Sequence, residues 1–206
     1  MEKIDIDFLS EFELWIRKVP GNGDCFFHSI LNAYSKSYIS GEVDRILCAR
    51  RMRKDISEFL DKSVGQSNVY EYLSGGNLRS FGAEDPVFTL KGFKKHINSN
   101  RFVGTEVYEV TSLYINKNVF VINLDDRDVQ IYGRLEDWYN KDITTVVLFY
   151  KSVETGDNGV GFDRGGHYDT CGITHKDGTI ATHFLNSHKF IRAIIDRYNY
   201  RVEHKI

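Results

Sequence analysis

A glycine-rich turn that ends in a cysteine constrains this chain more than any other stretch. Residues 20–30 read Pro-Gly-Asn-Gly-Asp-Cys-Phe-Phe-His-Ser-Ile. Apolar residues after the cysteine recur at helical spacing, which predicts a helix over about 25–38. The aromatic and β-branched residues of 12–19 predict a strand that ends at Pro20. The pattern therefore predicts a strand, a tight turn and a helix that begins at Cys25.

The position of Cys25 predicts a reactive thiolate. A helix amino terminus presents unpaired N–H groups and the positive end of the helix dipole, which favour an anion, and the thiolate is the reactive form of cysteine. Glycines at positions 21 and 23 permit positive φ values. Amides of the turn could then surround an oxygen that becomes negative during attack on a carbonyl; they belong to Asn22, Gly23, Asp24 and Cys25. The alternative is a small buried hydrophobic residue.

A histidine–aspartate pair far along the chain supplies the base that a cysteine nucleophile needs. His167 and Asp169 follow the apolar run 144–150 and a glycine-rich loop over 156–166. In an extended segment, residues two apart project to the same face, so the carboxylate can orient the imidazole and fix its tautomer. Taken alone, the pair also fits two exposed polar residues at the entrance of a strand. Its significance depends on the Cys25 turn.

Together, the two motifs resemble those of the ovarian tumour (OTU) cysteine proteases. Residues 22–28, Asn-Gly-Asp-Cys-Phe-Phe-His, resemble the family's Asp-Gly-Asn-Cys-Leu-Phe-Arg signature with its first and third residues exchanged. Residues 167–169 resemble its closing His-Tyr-Asp, and residues 102–110 with the run 119–122 are similar to its Trp-x-Gly-x-x-Glu helix and following strand. The resemblance spans residues 12–173.

The resemblance implies an α+β, papain-like OTU fold with a small, mostly antiparallel sheet flanked by helices. It also implies a deubiquitinating activity, in which isopeptide or peptide bonds are hydrolysed after the C-terminal glycine of ubiquitin or a ubiquitin-like modifier. The reaction would use Cys25, His167 and Asp169 as a triad and pass through a thioester. The partners would be ubiquitin, polyubiquitin chains or ubiquitin-like proteins. We expect no cofactor and no metal.

This chain departs from the family pattern at three positions. Asn22 stands where the family usually has Asp, and we favour a backbone role for it because Asp169 already supplies a carboxylate. His28 replaces Arg and Phe102 replaces Trp, which we interpret as packing differences. His28 is also a rival base on the same helix as Cys25, although no carboxylate is evidently placed to orient it.

Two other functions stay open at this point. An OTU-like module could bind ubiquitin with weak or no catalysis, which Asn22 makes conceivable. A cysteine hydrolase could instead act on other peptides or small amides.

The composition bounds the class of protein. A length of 206 residues with 41% hydrophobic content suits a single domain over 1–206, with residues 174–206 as an extension beyond the resemblance. A net charge of -2 gives no electrostatic case for nucleic acid. Three cysteines without zinc spacing, at 25, 48 and 171, favour a reducing compartment over a disulfide framework.

No signal peptide or membrane span is predicted, because no apolar run approaches about 18 residues. We therefore expect a protein of the cytoplasm or nucleus without a membrane partner. We also expect it to be a monomer. The richness in Asn, Lys, Ile and Tyr suits a large DNA virus or an intracellular bacterium.

Periodicity predicts the remaining elements. A long amphipathic helix over 40–63 would place Ile46 and Leu47 on its apolar face and bury Cys48. Its basic run Arg50, Arg51, Arg53 and Lys54 is interpreted as a solvated face. Further helices are predicted at 68–73, 86–98, 105–115, with Leu113 on its apolar side, and 187–198, with fraying from 200 onward. Strands are predicted at 119–124, 129–132 and 146–150. No metal site is expected at the acidic turn 125–128 or among His175, His183 and His188.

Overall fold

The computed structural model describes residues 1–74, 89–130, 139–152 and 166–204. The helices in these ranges are α1 (Cys25–Tyr34), α2 (Lys36–Ser40), α3 (Arg45–Phe59), α4 (Val69–Tyr72), α5 (Leu90–Ile97), α6 (Tyr108–Ile115) and α7 (Lys189–His204). The strands are β1 (Glu2–Ile4), β2 (Leu14–Arg17), β3 (Ser63–Val64), β4 (Ser67–Asn68), β5 (Asn118–Asn123), β6 (Asp128–Gln130), β7 (Thr145–Ser152), β8 (Gly166–Thr174), β9 (Ile180–Ala181) and β10 (His183–Phe184). Short 3-10 turns lie at Asp7–Leu9 and Thr105–Val107.

Among the described residues, eight strands form one sheet with the main order β1-β2-β8-β7-β5-β6. Strand β10 pairs with β7 and β9 with β8, while β3 and β4 form a separate hairpin. The β5–β7 pair is parallel, and the other pairs are antiparallel. The predicted α+β architecture with a mostly antiparallel sheet is confirmed.

Apolar side chains cover both faces of this sheet. Along β7, Val146 and Leu148 face one core and Val147 and Phe149 face the other, as the two-residue period of a strand requires. Helices α1, α3, α5 and α6 contribute to the first core. Helix α7 closes the second with Phe190, Ile191 and Ile194. The predicted strands 119–124 and 146–150 thus form a buried pair at the centre of the molecule.

The helical region after the cysteine differs from its prediction. Helix α1 ends at Tyr34 because Ser35 adopts an extended conformation, and α2 ends at Ser40 because Gly41, its C-cap, lies in the left-handed region (φ 78°). Helix α3 begins after Asp44, whose carboxylate accepts hydrogen bonds from the amides of Ile46 and Leu47 at 2.9 and 3.0 Å. This capping places the helix start five residues later than predicted.

Several burial predictions for the helices are wrong. In α3, Ile46 and Leu47 are 48% and 62% exposed and Cys48 is only half-buried. In α6, Leu113 is 46% exposed. Periodicity alone assigned these residues to the apolar face, but each helix buries a narrower stripe than its apolar residues suggest.

Two helix boundaries also differ, and some predictions fall outside the described residues. The helix predicted at 86–98 is described from Leu90 onward, and α7 continues to His204 instead of fraying. Residues 86–88, 131–132 and the 156–165 part of the predicted loop lie outside the described ranges. No helix in the described part of the chain has the length and apolarity needed to span a bilayer.

Candidate active site

Cys25 is the first residue of α1 and begins the helix as predicted. The residue is 1% exposed, and its Sγ lies 4.0 Å from the carbonyl oxygen of Gly166. The thiol therefore sits beside the first residue of β8, although the two positions are 141 residues apart. Cys25 is therefore almost fully covered in this conformation.

His167 and Asp169 lie on the same face of β8, as predicted from their spacing. The imidazole Nε2 is 3.1 Å from Oδ1 of Asp169. The same carboxylate oxygen accepts the backbone N–H of Val19 at 2.9 Å, which ties the carboxylate to the segment after β2. The carboxylate is thus held by the backbone while it orients the ring.

The surroundings of His167 favour its protonated form. Hydrogen bonding to Asp169, and next to Cys25, raises the pKa of His167 to about 10, against the opposing effect of burial. The imidazole therefore interacts with both the carboxylate and the thiol. A protonated imidazole is the partner that a thiolate requires. Cys171 differs because its burial alone raises the pKa of its thiol.

The 22–25 turn is held by its own hydrogen bonds. The Asn22 amide donates to the Pro20 carbonyl at 3.1 Å, and the Cys25 amide donates to the Asn22 carbonyl at 3.0 Å. The Asp24 amide donates to Asn22 Oδ1 at 2.9 Å. In this conformation three of the four amides predicted to hold an oxyanion already have acceptors. Gly23 is the fourth.

The expected positive φ angles at Gly21 and Gly23 are absent, since the positive-φ glycines of the described chain are Gly41, Gly65 and Gly178. Gly23 is required for a different reason. A Cβ at this position would lie 1.9 Å from the carbonyl oxygen of Asn100. At Gly21 the nearest atoms to a Cβ would belong to His167 at 3.8 Å, an ordinary contact.

Arg53 is the site-adjacent residue that sequence reasoning missed. The basic run predicts a solvated face, but Arg53 is 2% exposed and its Nε lies 2.5 Å from Oδ1 of Asp24, which is also buried. A signal was available in the sequence. Arg53 follows Ala49 by four residues and precedes Ile56 by three, so it shares the buried face of α3 with two fully buried residues.

His28 contacts Tyr38. Its ring is fully buried, and Nδ1 is 2.6 Å from the hydroxyl of Tyr38. Burial lowers the pKa of His28, so the ring is neutral at neutral pH. The residue serves packing, in agreement with its interpretation as a packing difference.

Aromatic rings connect the three sequence motifs. Phe26 follows the cysteine, Tyr168 separates His167 from Asp169, and their ring centroids lie 5.3 Å apart. Phe102 stacks on Tyr168 at 5.4 Å, and the hydroxyls of Tyr108 and Tyr168 lie 2.6 Å apart. One buried cluster therefore sets the spacing between α1, β8 and the 102–108 segment.

No group of His, Cys, Asp or Glu side chains within the described ranges could hold a metal ion. The acidic turn is used for hydrogen bonds instead, since Asp125 accepts from Ser152. Asp128 pairs with Arg197 of α7 at 2.7 Å.

Solved structures share the architecture of this chain. The sequence itself matches no protein-family model and no curated protein. The structure is similar to one described as an ovarian tumor (OTU) domain in complex with ubiquitin, with a TM-score of 0.54 and 16% identity over 95% of this chain and 88% of that one. A viral OTU domain protease from Dera Ghazi Khan virus gives a TM-score of 0.48 and 14% identity over 84% of this chain and 87% of that one. The first similarity, together with the topology above, shows that the chain has the OTU-type, papain-like fold.

Proposed function

We propose that this protein is a deubiquitinating cysteine hydrolase that cleaves the bond after the C-terminal glycine of ubiquitin or a ubiquitin-like modifier. One observation carries the proposal: a cysteine at a helix amino terminus lies beside the strand that bears a His–Asp pair, in a fold similar to that of a ubiquitin-bound OTU domain. The partner comes from that similar structure, and the reaction type comes from the side chains.

In the proposed reaction, the thiolate of Cys25 attacks the carbonyl carbon and forms a tetrahedral oxyanion. The C–N bond then breaks while His167 passes its proton to the leaving amine, which leaves a thioester on Cys25. Water attacks the thioester with His167 as base, and the products are a free carboxylate and the regenerated thiolate. Asp169 keeps the imidazole oriented throughout.

The oxyanion requires amides that are free to donate. Because the amides of Asn22, Asp24 and Cys25 donate within the turn and Cys25 is covered, the proposal includes a reorientation of single peptide groups within the turn, without a shift of the turn as a whole, and a movement of the Gly166 segment when a substrate tail binds. A binding module without catalysis is the competing function, and the covered thiol is the observation that favours it.

A ubiquitin probe with a C-terminal electrophile tests the proposal. We expect one adduct per chain, mapped to Cys25 by peptide mass spectrometry, and none with Cys25→Ala. Cys48, half-buried in α3, serves as the matched control because Cys48→Ala should react as the wild type does. A binding module would retain affinity for ubiquitin without forming the adduct. Equal turnover of ubiquitin-fused and free peptide reporters would remove the modifier from the proposal.

A further inference from the structure

We infer that Arg53 is a positioning residue for the reaction, because its guanidinium clamps the cysteine turn to the 97–101 segment. The inference rests on the proposed function and extends it to a residue outside the sequence motifs. Arg53 touches none of the reacting atoms. It acts through the backbone of the turn that carries Cys25.

The guanidinium binds both segments at once. Nη1 donates to the carbonyls of Ile97 and Ser99, each at 2.7 Å. Nη2 donates to the carbonyl of Arg101 at 2.6 Å and to that of Gly23. Two planar nitrogen groups therefore hold three carbonyls of one segment and one carbonyl of the cysteine turn, a pattern that suits the fixed fork of arginine.

The charge of Arg53 is balanced by the turn itself. Nε lies 2.5 Å from Oδ1 of Asp24, in an ion-pair contact. The side chains of Arg53 and Asp24 are 3% and 6% exposed. A buried arginine without such a partner is strongly unfavourable. Asp24 is therefore committed to Arg53, and it makes no capping hydrogen bond to α1.

The aromatic ring of Phe27 completes the enclosure. The guanidinium carbon lies 4.7 Å from the centroid of this ring, within the range of a cation–π contact. Phe27 stands two residues after Cys25 on α1. Arg53 is consequently fixed against the helix that presents the thiol as well as against the turn that precedes it.

The clamp leaves little freedom at the contact between the segments. The backbone of Gly23 approaches the Asn100 carbonyl so closely that no side chain fits between them. Asn100 lies between two of the carbonyls that Arg53 binds, those of Ser99 and Arg101. A shift of the turn relative to this segment would move the amides of residues 22–25 and the start of α1. In a reaction that depends on these amides, displacements of this kind reduce turnover more than binding.

The test compares Arg53→Lys with Arg51→Lys, the same substitution on the same helix. Arg51 is the matched control because its side chain is 83% exposed and pairs only loosely with Asp55 at 3.9 Å. Lysine at 53 keeps the positive charge and loses the planar fork. We expect Arg53→Lys to lower kcat on a ubiquitin-based reporter by at least about tenfold with KM changed less than about threefold. Arg51→Lys should match the wild type.

A second readout needs no ubiquitin. The rate of Cys25 alkylation by iodoacetamide is measured from pH 5 to pH 10 by peptide mass spectrometry, with half-buried Cys48 as an internal reference. We expect the Cys25 profile of Arg53→Lys to move to higher pH, because the turn and the thiol lose their fixed relation to His167. If the wild type fails to cleave ubiquitin, the proposed function fails while this profile still decides the role of Arg53.

A folded Arg53→Lys protein with the wild-type kcat and alkylation profile would overturn the inference. Circular dichroism establishes whether the variant is folded. If it is not, Asp24→Glu replaces it, since this variant keeps a carboxylate as the charge partner of Arg53 and changes the position of that carboxylate relative to the turn. A folded Asp24→Glu protein with a shifted alkylation profile supports the clamp, and an unchanged profile overturns it.

Discussion

The imidazole Nε2 of His167 lies 3.1 Å from Oδ1 of Asp169, and this carboxylate oxygen also accepts the Val19 amide at 2.9 Å. The Asp169 carboxylate is therefore held by the backbone of the segment that follows β2. Hydrogen bonding to this carboxylate is the largest cause that raises the pKa of His167 to about 10. This pair determines the protonation state of the candidate site.

Asp169→Asn should lower the alkaline limit of activity. The proposed reaction needs a protonated His167, so kcat/KM of the wild type should hold until the pH approaches the raised pKa of about 10. Removing the carboxylate removes the largest cause of the raised pKa of His167. The alkaline limb of the kcat/KM profile should therefore move to lower pH. The measurement is kcat/KM on a ubiquitin reporter between pH 6 and pH 11. Asp5→Asn is the control because Asp5 is exposed. If the alkaline limbs of the two variants coincided, the prediction would be contradicted.

The same proton linkage predicts how stability depends on pH. Folding raises the pKa of His167 from 6.5 to about 10, so the stabilisation is fully present below pH 6.5 and is lost as pH rises through the folded value. Between these values the wild type should lose more stability than Asp169→Asn does. Urea denaturation at pH 6.5, 8 and 10 measures this difference. Parallel losses in the two proteins would show that His167 does not carry the linkage.

Gly23→Ala and Gly21→Ala should differ strongly although the two glycines are two residues apart. A Cβ at 23 would lie 1.9 Å from the Asn100 carbonyl, whereas a Cβ at 21 meets no atom closer than 3.8 Å. We expect Gly23→Ala to destabilise the fold by roughly 1–3 kcal/mol or more through the forced backbone shift. Gly21→Ala should stay within about 0.5 kcal/mol of the wild type. Thermal denaturation compares them, and similar melting temperatures would count against the close contact.

The hydroxyl contact between Tyr108 and Tyr168 should be measurable by a double-mutant cycle. The two oxygens lie 2.6 Å apart in the aromatic cluster, and Tyr168 is 1% exposed. Each single change to Phe should cost roughly 1–3 kcal/mol because it removes one partner of a buried hydrogen bond. The double variant should cost less than the sum of the two. Strict additivity in denaturant titrations would mean that the hydroxyls do not interact.

Helix α7 should contribute to stability through its buried face. Ile194 is 0% exposed, and Ile194→Ala should destabilise the fold by roughly 2–5 kcal/mol. Val202 lies on the same helix and is 59% exposed, so Val202→Ala should change stability by less than about 0.5 kcal/mol. Urea denaturation of both variants checks this. Equal effects would indicate that α7 does not pack on the sheet.

Local sequence patterns predicted the elements that bear the candidate site. The two-residue period placed His167 and Asp169 on one face of β8, and the turn before Cys25 began α1 at that residue. The same reasoning failed for Ile46 and Leu47, which periodicity assigned to the core and which are exposed. A periodic pattern gives the direction of an apolar face, but the neighbouring elements decide how wide a stripe they cover.

The burial of Arg53 was mispredicted for a different reason, because it depends on groups that are distant in the sequence. A run of four basic residues is usually solvated, and three of these residues follow that rule. The fourth is buried because Asp24 and four backbone carbonyls, which lie on other segments, compensate its charge. The helical period places Arg53 on the buried face of α3, but no local pattern identifies these partners, since they are between 29 and 48 residues away.

By itself, the sequence determined the strand, turn and helix around Cys25 and the shared face of His167 and Asp169. These features follow from backbone geometry and side-chain period over a few residues. Only the tertiary structure decided that the thiol is covered beside Gly166, that three amides of the turn already have acceptors, and that Arg53 is buried against Gly23. These outcomes depend on which distant groups come into contact, because burial and hydrogen-bond satisfaction are properties of the assembled core.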